Sequence, residues 1–476
     1  MKNASRASLA LALAALSACA TQPAPPRIEA AASARALEAR RLDDPRLLRF
    51  VAAARALEHG ARSPAASWDL ESLSLAALYY HPGLDIARAR LAAARAGLAL
   101  AREGPNPSAG LSLGYNATTA VPSPWTVGLM VDFILESFGK RAAIEARASH
   151  LADAAREDLA GATWKVRAGV RDALLGMWLA GRRLALAERQ LARRTELAQL
   201  VARRFAAGAA SALEVSRERI ARDRARLEVS QAQSAGSAAR ARLARALGVP
   251  LRALDGQAIS LAAFDAPPPA APELSAGALR ERALTHRSDV RAMLEDVAAA
   301  QSALQIQVAR RWPNLHLGPG YTYDQGDHKF SVDLGADLPD PDLNEARIKA
   351  ALARRAEAAA RFEALQAKII GEIDAAAAGY RAARRAREVA DALVAQAGGR
   401  VADLRRAFDA GQIGRPELVS AGVELGAARG AALDARADQD RAVAAIEDAL
   451  RTPLFGGAGA LPLEENNPRL AKETGR

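Results

Sequence analysis

The chain is written twice. Phe205-x-x-Gly208 followed by Glu214-Val215 returns as Phe408-x-x-Gly411 followed by Glu417-Leu418, 203 residues on, and Leu247-x-x-Pro250 returns as Leu450-x-x-Pro453 at the same offset. Upstream the offset is 206, pairing Leu78 with Leu284, Pro107 with Pro313 and Tyr115 with Tyr321. A drift of three residues over roughly 175 aligned positions means that one structural unit was duplicated almost without insertions. Length alone would suggest about three domains; the repeat instead divides the chain into two equivalent halves.

Each half has the same order of patterns. In the first, Ser67-Trp68-Asp69-Leu70 is a helix start, because Ser or Asp can accept from free amides there. Helical periodicity then runs to Arg102, broken at His81-Pro82-Gly83, where proline cannot continue one helix but can begin the next. Gly104-Pro105-Asn106-Pro107 ends it. Between Pro107 and Phe138 the period falls from 3.6 to 2. Leu111, Leu113, Tyr115 and Ala117 alternate with Ser112, Gly114, Asn116 and Thr118; past Pro122-Ser123-Pro124, Val127, Leu129, Val131 and Phe133 alternate with Gly128, Met130 and Asp132. The second half does the same at Leu315, Leu317, Tyr321 and Tyr323, and again at Phe330, Val332, Leu334, Ala336 and Leu338. The expected strands, about 107–121, 124–135, 313–323 and 329–338, have the length that crosses a bilayer when tilted. Of 20 aromatic residues, eight fall in 107–138 and 312–338, with Trp125, Phe138, Trp312 and Tyr323 near strand ends, where interfacial girdles form.

From Lys140 to Phe205 there is no proline, and apolar residues recur at helical spacing through Leu151, Leu159, Val166, Val170, Leu174, Trp178 and Leu186. At ~1.5 Å per residue this is a rod on the order of 100 Å, longer than any compact domain needs. A return helix over 212–247 follows the turn 205–212. The second half repeats both as a rod over 343–408, a turn over 408–415 and a return over 416–450. In both turns the glycine after Phe stands where a helix end wants a left-handed residue.

The N-terminus assigns a compartment. Lys2 and Arg6 precede an apolar run from Ala7 to Leu16, too short to span a bilayer, and Leu16-Ser17-Ala18-Cys19 resembles a bacterial lipobox. Residues 1–18 are therefore expected to be a lipoprotein signal peptide, with Cys19 acylated as the mature first residue. Cys19 is the chain's one cysteine, so no intramolecular disulfide can form, and acyl chains on it would hold the N-terminus at a membrane. Loss of Lys2 and Arg6, with no acid, takes the net charge from +11 to +9. The arginines alternate with acids, as in Arg217-Glu218-Arg219 and Arg222-Asp223-Arg224, which is the pattern of solvated helix faces rather than of a nucleic-acid footprint.

The expected organisation is thus a lead-in over 19–66 with one short helix around 33–58, a first repeat over 67–250, a Pro-rich linker over 251–275 whose stretch 266–272 runs as an extended tether, a second repeat over 276–453 and a flexible tail over 454–476. The fold class is mainly α with a membrane β-barrel portion. Four strands cannot close on themselves, and lipid does not tolerate an open edge, so the chain must oligomerise. A dimer's 8 strands would leave a filled interior, whereas a trimer's 12 would leave an open one. Gly114, Gly128, Asp132, Asp333 and Asp337 suit a wet lumen.

The duplicated unit, Phe138-Gly139-Lys140-Arg141 entering the long helix, and the two Phe-x-x-Gly turns resemble the TolC-like outer-membrane efflux family from about Trp68 to Pro453. His81-Pro82-Gly83-Leu84, Pro105-Asn106-Pro107 and Gly139-Lys140-Arg141 look most like the lipoprotein branch that serves heavy-metal pumps, the CzcC-like proteins. The resemblance implies a homotrimer with a 12-stranded barrel in outer-membrane lipid on a long periplasmic α-helical barrel, fed by an inner-membrane RND-type pump through a periplasmic adaptor. Phe205, Gly208, Phe408 and Gly411 would mark the tips that the adaptor meets. An acid six positions after the second-copy glycine narrows the entrance in the family; Glu417 matches it and Glu214 is its first-copy counterpart, while Ser420 stands where the family has a second acid. Equally, Glu417 is an acid favoured by a helix N-terminus.

No nucleophile motif, phosphate loop or cysteine cluster appears, and the six histidines show no i,i+4 pairing, so no enzyme, cofactor or protein-made metal site is expected. The acid pair Asp43-Asp44 reads as unstructured. Two alternatives stay open: a multidrug, solvent or type I secretion channel, and a periplasmic coiled-coil adaptor or scaffold, which would have one hairpin rather than two equivalent copies.

Overall fold

The computed structural model describes residues 27–59, 67–117, 121–136, 138–266 and 276–454. Cys19, the signal segment, the proline-rich stretch 267–275 and residues 455–476 lie outside them.

The lead-in holds two helices rather than one, α1 (Ala30–Glu38) and α2 (Pro45–His59). Proline at position 45 forces a new start, and the Asp44 carboxylate accepts from the Arg46 amide at 2.8 Å. Asp43 and Asp44 thus form a structured corner, with Leu42 and Leu47 fully buried on either side. Arg40 donates to the carbonyls of Tyr80 (2.5 Å) and Gly248 (2.7 Å), and the Tyr80 hydroxyl donates to the Arg41 carbonyl at 2.9 Å.

In the first repeat, α3 (Leu70–Tyr80) begins with a capping box between Asp69 and Ser72 and buries nine of its residues. α4 (Pro82–Arg102) starts at the predicted Pro82, its first turn capped by His81. Then come β1 (Ser108–Tyr115), β2 (Trp125–Leu135), the 67-residue α5 (Lys140–Ala206) and α6 (Ala212–Leu247). The second repeat gives α7 (Ala276–His286), α8 (Ser288–Ala309), β3 (Leu315–Asp324), β4 (Asp327–Ala336), the 69-residue α9 (Pro341–Asp409) and α10 (Arg415–Leu450). Strand β4 begins two residues before the predicted 329, because Gln325 and Gly326 both take positive φ (55° and 124°) and close a two-residue hairpin between Asp324 and Asp327.

Both long helices end alike. Gly208 (φ 74°) and Gly411 (φ 72°) are left-handed, Ala209 N–H donates to the Arg204 carbonyl and Gln412 N–H to the Ala407 carbonyl, the six-to-one bond of a Schellman cap.

The strands form one antiparallel sheet in the order β1-β2-β3-β4, so the two repeats meet at β2–β3. The helices below keep that order. α5 packs on α4 and α8, and α8 packs on α9. Lower down, α6 packs on α5, α5 on α10 and α10 on α9. The molecule is an open curved wall with β1, α4 and α6 along one flank and β4 and α9 along the other. Two cores stabilise it, one in each repeat, with Leu73, Leu84, Leu174 and Leu247 in the first and Ile369, Ile373, Val290 and Leu450 in the second.

The tether expected over 266–272 lies, beyond Ala266, outside the described residues, and the part of the linker ahead of it packs on the helices. It makes two short 3-10 turns (Leu251–Leu254 and Ala262–Phe264), pairs Ile259 with Trp68, and buries Phe264. Trp178 donates from Nε1 to Asp265 at 3.0 Å, and Arg436 donates to the Phe264 carbonyl at 2.8 Å, so side chains of α5 and α10 hold it down.

Candidate functional site

The register sorts every strand residue onto one of two faces. One carries Leu111, Leu113 and Tyr115 of β1, Trp125 through Phe133 and Leu135 at alternate positions of β2, Leu315, Leu317, Pro319, Tyr321 and Tyr323 of β3, and Phe330, Val332, Leu334 and Ala336 of β4. Nearly all of it is apolar, yet its large residues are open: Phe330 is 83% and Leu334 78% exposed. An apolar surface of this extent marks contact with lipid or protein. The other face carries Ser112, Gly114, Thr126, Gly128, Thr322, Gly320, Ser331 and Gly335, and is mostly small or polar, with Met130 and Ile134 as its large apolar members.

Aromatic rings gather at the two ends of the apolar face. Toward the hairpins, Tyr115 and Trp125 meet edge-on at 5.0 Å and Tyr321 packs on Phe330 at 5.3 Å. At the helical end Phe138 stacks on Trp312 at 4.8 Å. Membrane strand layers carry aromatic rings at both of their edges in this way.

The acids predicted to face a lumen lie with the small-residue face. Asp333 sits opposite Gly318, and the register carries Asp132 to the other side of the same glycine. Asp337, just past β4, joins Asp132 around His316. His316 Nδ1 lies 2.9 Å from Asp132 Oδ2, and its Nε2 lies 3.2 Å from Asp337 Oδ2. Period-2 alternation put Asp132 and His316 on inward positions, but the β2–β3 pairing that joins them is 184 residues apart in sequence. Among the described residues, no group of three or more His, Cys, Asp or Glu is arranged to hold a metal ion.

At the opposite end, Phe205 and Gly208 lie in one turn and Phe408 and Gly411 in the other. Glu214 and Glu417 each occupy the third position of the following helix. The Ser211 N–H donates to Glu214 Oε2 at 2.7 Å and the Ser211 hydroxyl at 2.9 Å, while Glu214 N–H donates back to Ser211 Oγ at 3.2 Å. The Ser211 backbone donor, then its hydroxyl, hold the Glu214 carboxyl below its ordinary range. Glu417 lies back over Gly414, where an added Cβ would come 2.8 Å from Oε2, but Gly414 receives no side-chain cap bond. Of the two acids, Glu214 is the one that completes its helix end by hydrogen bonds. Close by, Arg415 pairs with Glu196 at 2.6 Å and Gln190 donates to the Val423 carbonyl at 3.0 Å, joining α10 to α5.

A groove of about 1020 Å³ runs between α6 and α10 with α5 as its floor, lined by Leu186, Gln190, Ile220, Ala225, Val423 and Gly426. Among the described residues, no helix is long and apolar enough to cross a membrane.

The sequence matches the family described as outer membrane efflux protein over residues 73–249 and 279–450. The chain belongs to this family. The matched segments coincide with the two repeats. Solved structures agree with the fold: VceC, an outer membrane protein from Vibrio cholerae (20% identity, 81% of this chain and 97% of that one, TM-score 0.66), the CmeC outer membrane channel of Campylobacter jejuni (16%, 85% and 88%, 0.67) and the open MtrE outer membrane channel of Neisseria gonorrhoeae (18%, 81% and 89%, 0.64). No curated protein gives a match. An outer membrane efflux protein is a transport protein rather than an enzyme.

Proposed function

We propose that this chain is the outer-membrane channel of a tripartite efflux system, closing as a homotrimer with a 12-stranded barrel and a long periplasmic α-helical barrel. The observation that carries this is the β2–β3 junction. It pairs the second strand of one repeat with the first strand of the next. Because the repeats are equivalent, β4 can pair with β1 of a neighbouring copy in the same way, and α9 can pack on the neighbour's α4 as α5 does on α8. The contact runs head to tail and closes into a ring. Unpaired strand edges in lipid cost several kcal/mol per amide, so closure is required rather than optional. Twelve strands leave a lumen, and the small and acidic face suits a wet one.

The tips around Gly208 and Gly411 are where a periplasmic adaptor would meet the channel, with an inner-membrane RND-type pump behind it. Cys19 carries the lipid anchor. Heavy-metal cations are the favoured cargo, supported by the likeness of the first repeat to the CzcC-like branch and by Asp132, Asp333 and Asp337 on the small-residue face. Multidrug, solvent or protein export uses the same architecture and is the second reading, while an adaptor or scaffold accounts for neither the duplication nor the amphipathic sheet. The deciding measurement is the native mass of the protein extracted in mild detergent. Three chains, separated only by heating, is the expected result; a monomer, or release without detergent, refutes the channel reading.

A further inference from the structure

Every residue of the edge strands β1 and β4 is exposed, whereas β2 and β3, flanked on both sides, are partly covered. The repeat says what belongs on those edges. Tyr115 and Tyr321 are equivalent, and in the two hairpins they pair with Trp125 and Phe330. Trp125 therefore corresponds to Phe330, Leu129 to Leu334 and Phe133 to Leu338. Within the chain Leu129 pairs with Tyr321, and Phe133 with Leu317. One repeat on, these rows become Leu334 against Tyr115 and Leu338 against Leu111 of the next copy, the first with the same two residue types. All four side chains are open, Leu338 at 91% and Leu334 at 78%. The β2–β3 ladder is broken at Pro319, which has no N–H to give; the equivalent edge residue is Leu113, so the seam can complete a row that the interior lacks.

The helices repeat the contrast. α8, packed on α5 and α9, buries Ile306 to 7%; α4 packs on α5 and leaves the equivalent Leu100 at 74%. Nearer the tips, an added Cβ at Gly430 of α10 would lie 3.5 Å from Leu186 of α5, and Gln190 donates to the Val423 carbonyl. The equivalent positions are Val389 and Leu393 of α9, and Leu227 and Ile220 of α6, large apolar side chains left exposed on opposite flanks of the wall.

We propose that the seam between copies repeats the β2–β3 junction residue for residue, with Leu334 of one copy opposite Tyr115 of the next and Leu338 opposite Leu111. The same rotation sets Val389 and Leu393 against the neighbour's Leu227 and Ile220. This rests on the trimer reading and adds to it the register and the side chains that fix it. A slip of one residue would set the apolar row of one strand against the small-residue row of the other. A slip of two keeps the faces but moves the helices, because α9 runs unbroken from Pro341 to Asp409. Two strand residues span about 7 Å, more than one helical turn, which carries Val389 past Leu227.

Cysteine pairs read the register. Directly opposed residues of antiparallel strands hold their Cβ atoms about 4.5–5.5 Å apart, near the separation a disulfide takes, while diagonal neighbours stand about 7 Å apart. Oxidised in membranes, L334C/Y115C is expected to run as covalent dimers and trimers on non-reducing gels, and the diagonal pairs L334C/L113C and L334C/A117C as monomers. Linkage within one chain is out of reach because β2 and β3 lie between the two positions. The single variants control for links through Cys19. Cross-linking of a diagonal pair in place of L334C/Y115C overturns the register, and so does a protein of three chains in which none of the pairs links. A monomeric native mass is a different result and removes the trimer reading itself. The helical contact is read separately. Val389→Glu should lower the temperature at which the extracted trimer separates, and adding Leu227→Arg should restore it; a double variant no more stable than Val389→Glu alone overturns that contact.

Discussion

Val332 and Asp333 are neighbours on β4 with opposite assignments, and replacing each by arginine tests the sheet's polarity. Val332 is the middle of five positions on the apolar face, between His328 and Ala336, four residues from either end. Four residues rise about 13 Å, and at a tilt near 40° that is about 10 Å of depth, which puts Val332 near the bilayer midplane. Arginine there costs about 2–4 kcal/mol in each chain. Asp333 points to the other face against Gly318, which leaves room beside it. Asp333→Arg should change stability by about 0.5 kcal/mol or less. It shifts the lumen charge by two units per chain, which should turn ion preference away from cations. Guanidinium unfolding from phospholipid vesicles reads the first quantity and the reversal potential under a salt gradient the second. If Val332→Arg leaves the unfolding midpoint unchanged while Asp333→Arg lowers it, the faces are reversed and the wet-lumen argument fails.

Four further outcomes follow from the geometry. Gly248→Ala should cost about 3 kcal/mol or more and Gly208→Ala or Gly411→Ala about 1 kcal/mol, although all three glycines have φ near 73°. An added Cβ at Gly248 lies 2.9 Å from the Tyr80 carbonyl oxygen and His81 Cα, whereas the tip glycines face open space; similar losses in chemical unfolding would refute the distinction. His81 caps α4 by accepting from the Gly83 N–H at 3.1 Å, and burial holds its imidazole below the ordinary value. The unfolded chain therefore takes up its proton first, so stability is complete above about pH 6.5 and falls as pH drops below it. His81→Asn keeps an acceptor without a titration and should flatten that slope between about pH 7.5 and 5.5; an unchanged slope removes His81 as its cause. Cys19→Ala should lower outer-membrane retention in fractionation without preventing trimer closure, and wild-type retention would refute the anchor. Glu417→Ala should raise single-channel conductance or weaken cation block, and an unaltered trace would leave Glu417 as a helix-end acid alone.

What could be read from the sequence was whatever local chemistry decides. α5 was legible because no proline interrupts 140–205 and a glycine stands where its Schellman cap needs one; α6 was placed at 212–247 by the same turn and the Leu247-Gly248 stop. The strand faces were legible because a period of 2 leaves no freedom in which residues share a face. What escaped reading depends on long-range contact. Proline content marked 251–275 only as a linker, yet Trp178 and Arg436, far away in sequence, anchor its first part through Asp265 and the Phe264 carbonyl. Asp43-Asp44 looked unstructured because nothing local shows that Leu42 and Leu47 reach a core.

The same division explains the two classes of acid. Asp132 could be assigned a face from alternation alone, but its meeting with His316 and Asp337 exists only once β2 of one repeat pairs with β3 of the other. Glu214 and Glu417 match by position in the repeat, and the structure gives Glu214 a local task at a helix start, through three hydrogen bonds with Ser211. Those contacts lie within one turn, so each chain can satisfy them alone. A ring of carboxylates is a property of three chains, and assembly would set a cost of like-charge repulsion against the helix-end stabilisation. The Ser211 backbone and hydroxyl donors favour the ionised form of Glu214 and tie its carboxylate to the helix end, whereas Gly414, the residue that caps the helix of Glu417, has no hydroxyl to offer. The two copies of one motif thus differ where the repeat replaces serine with glycine.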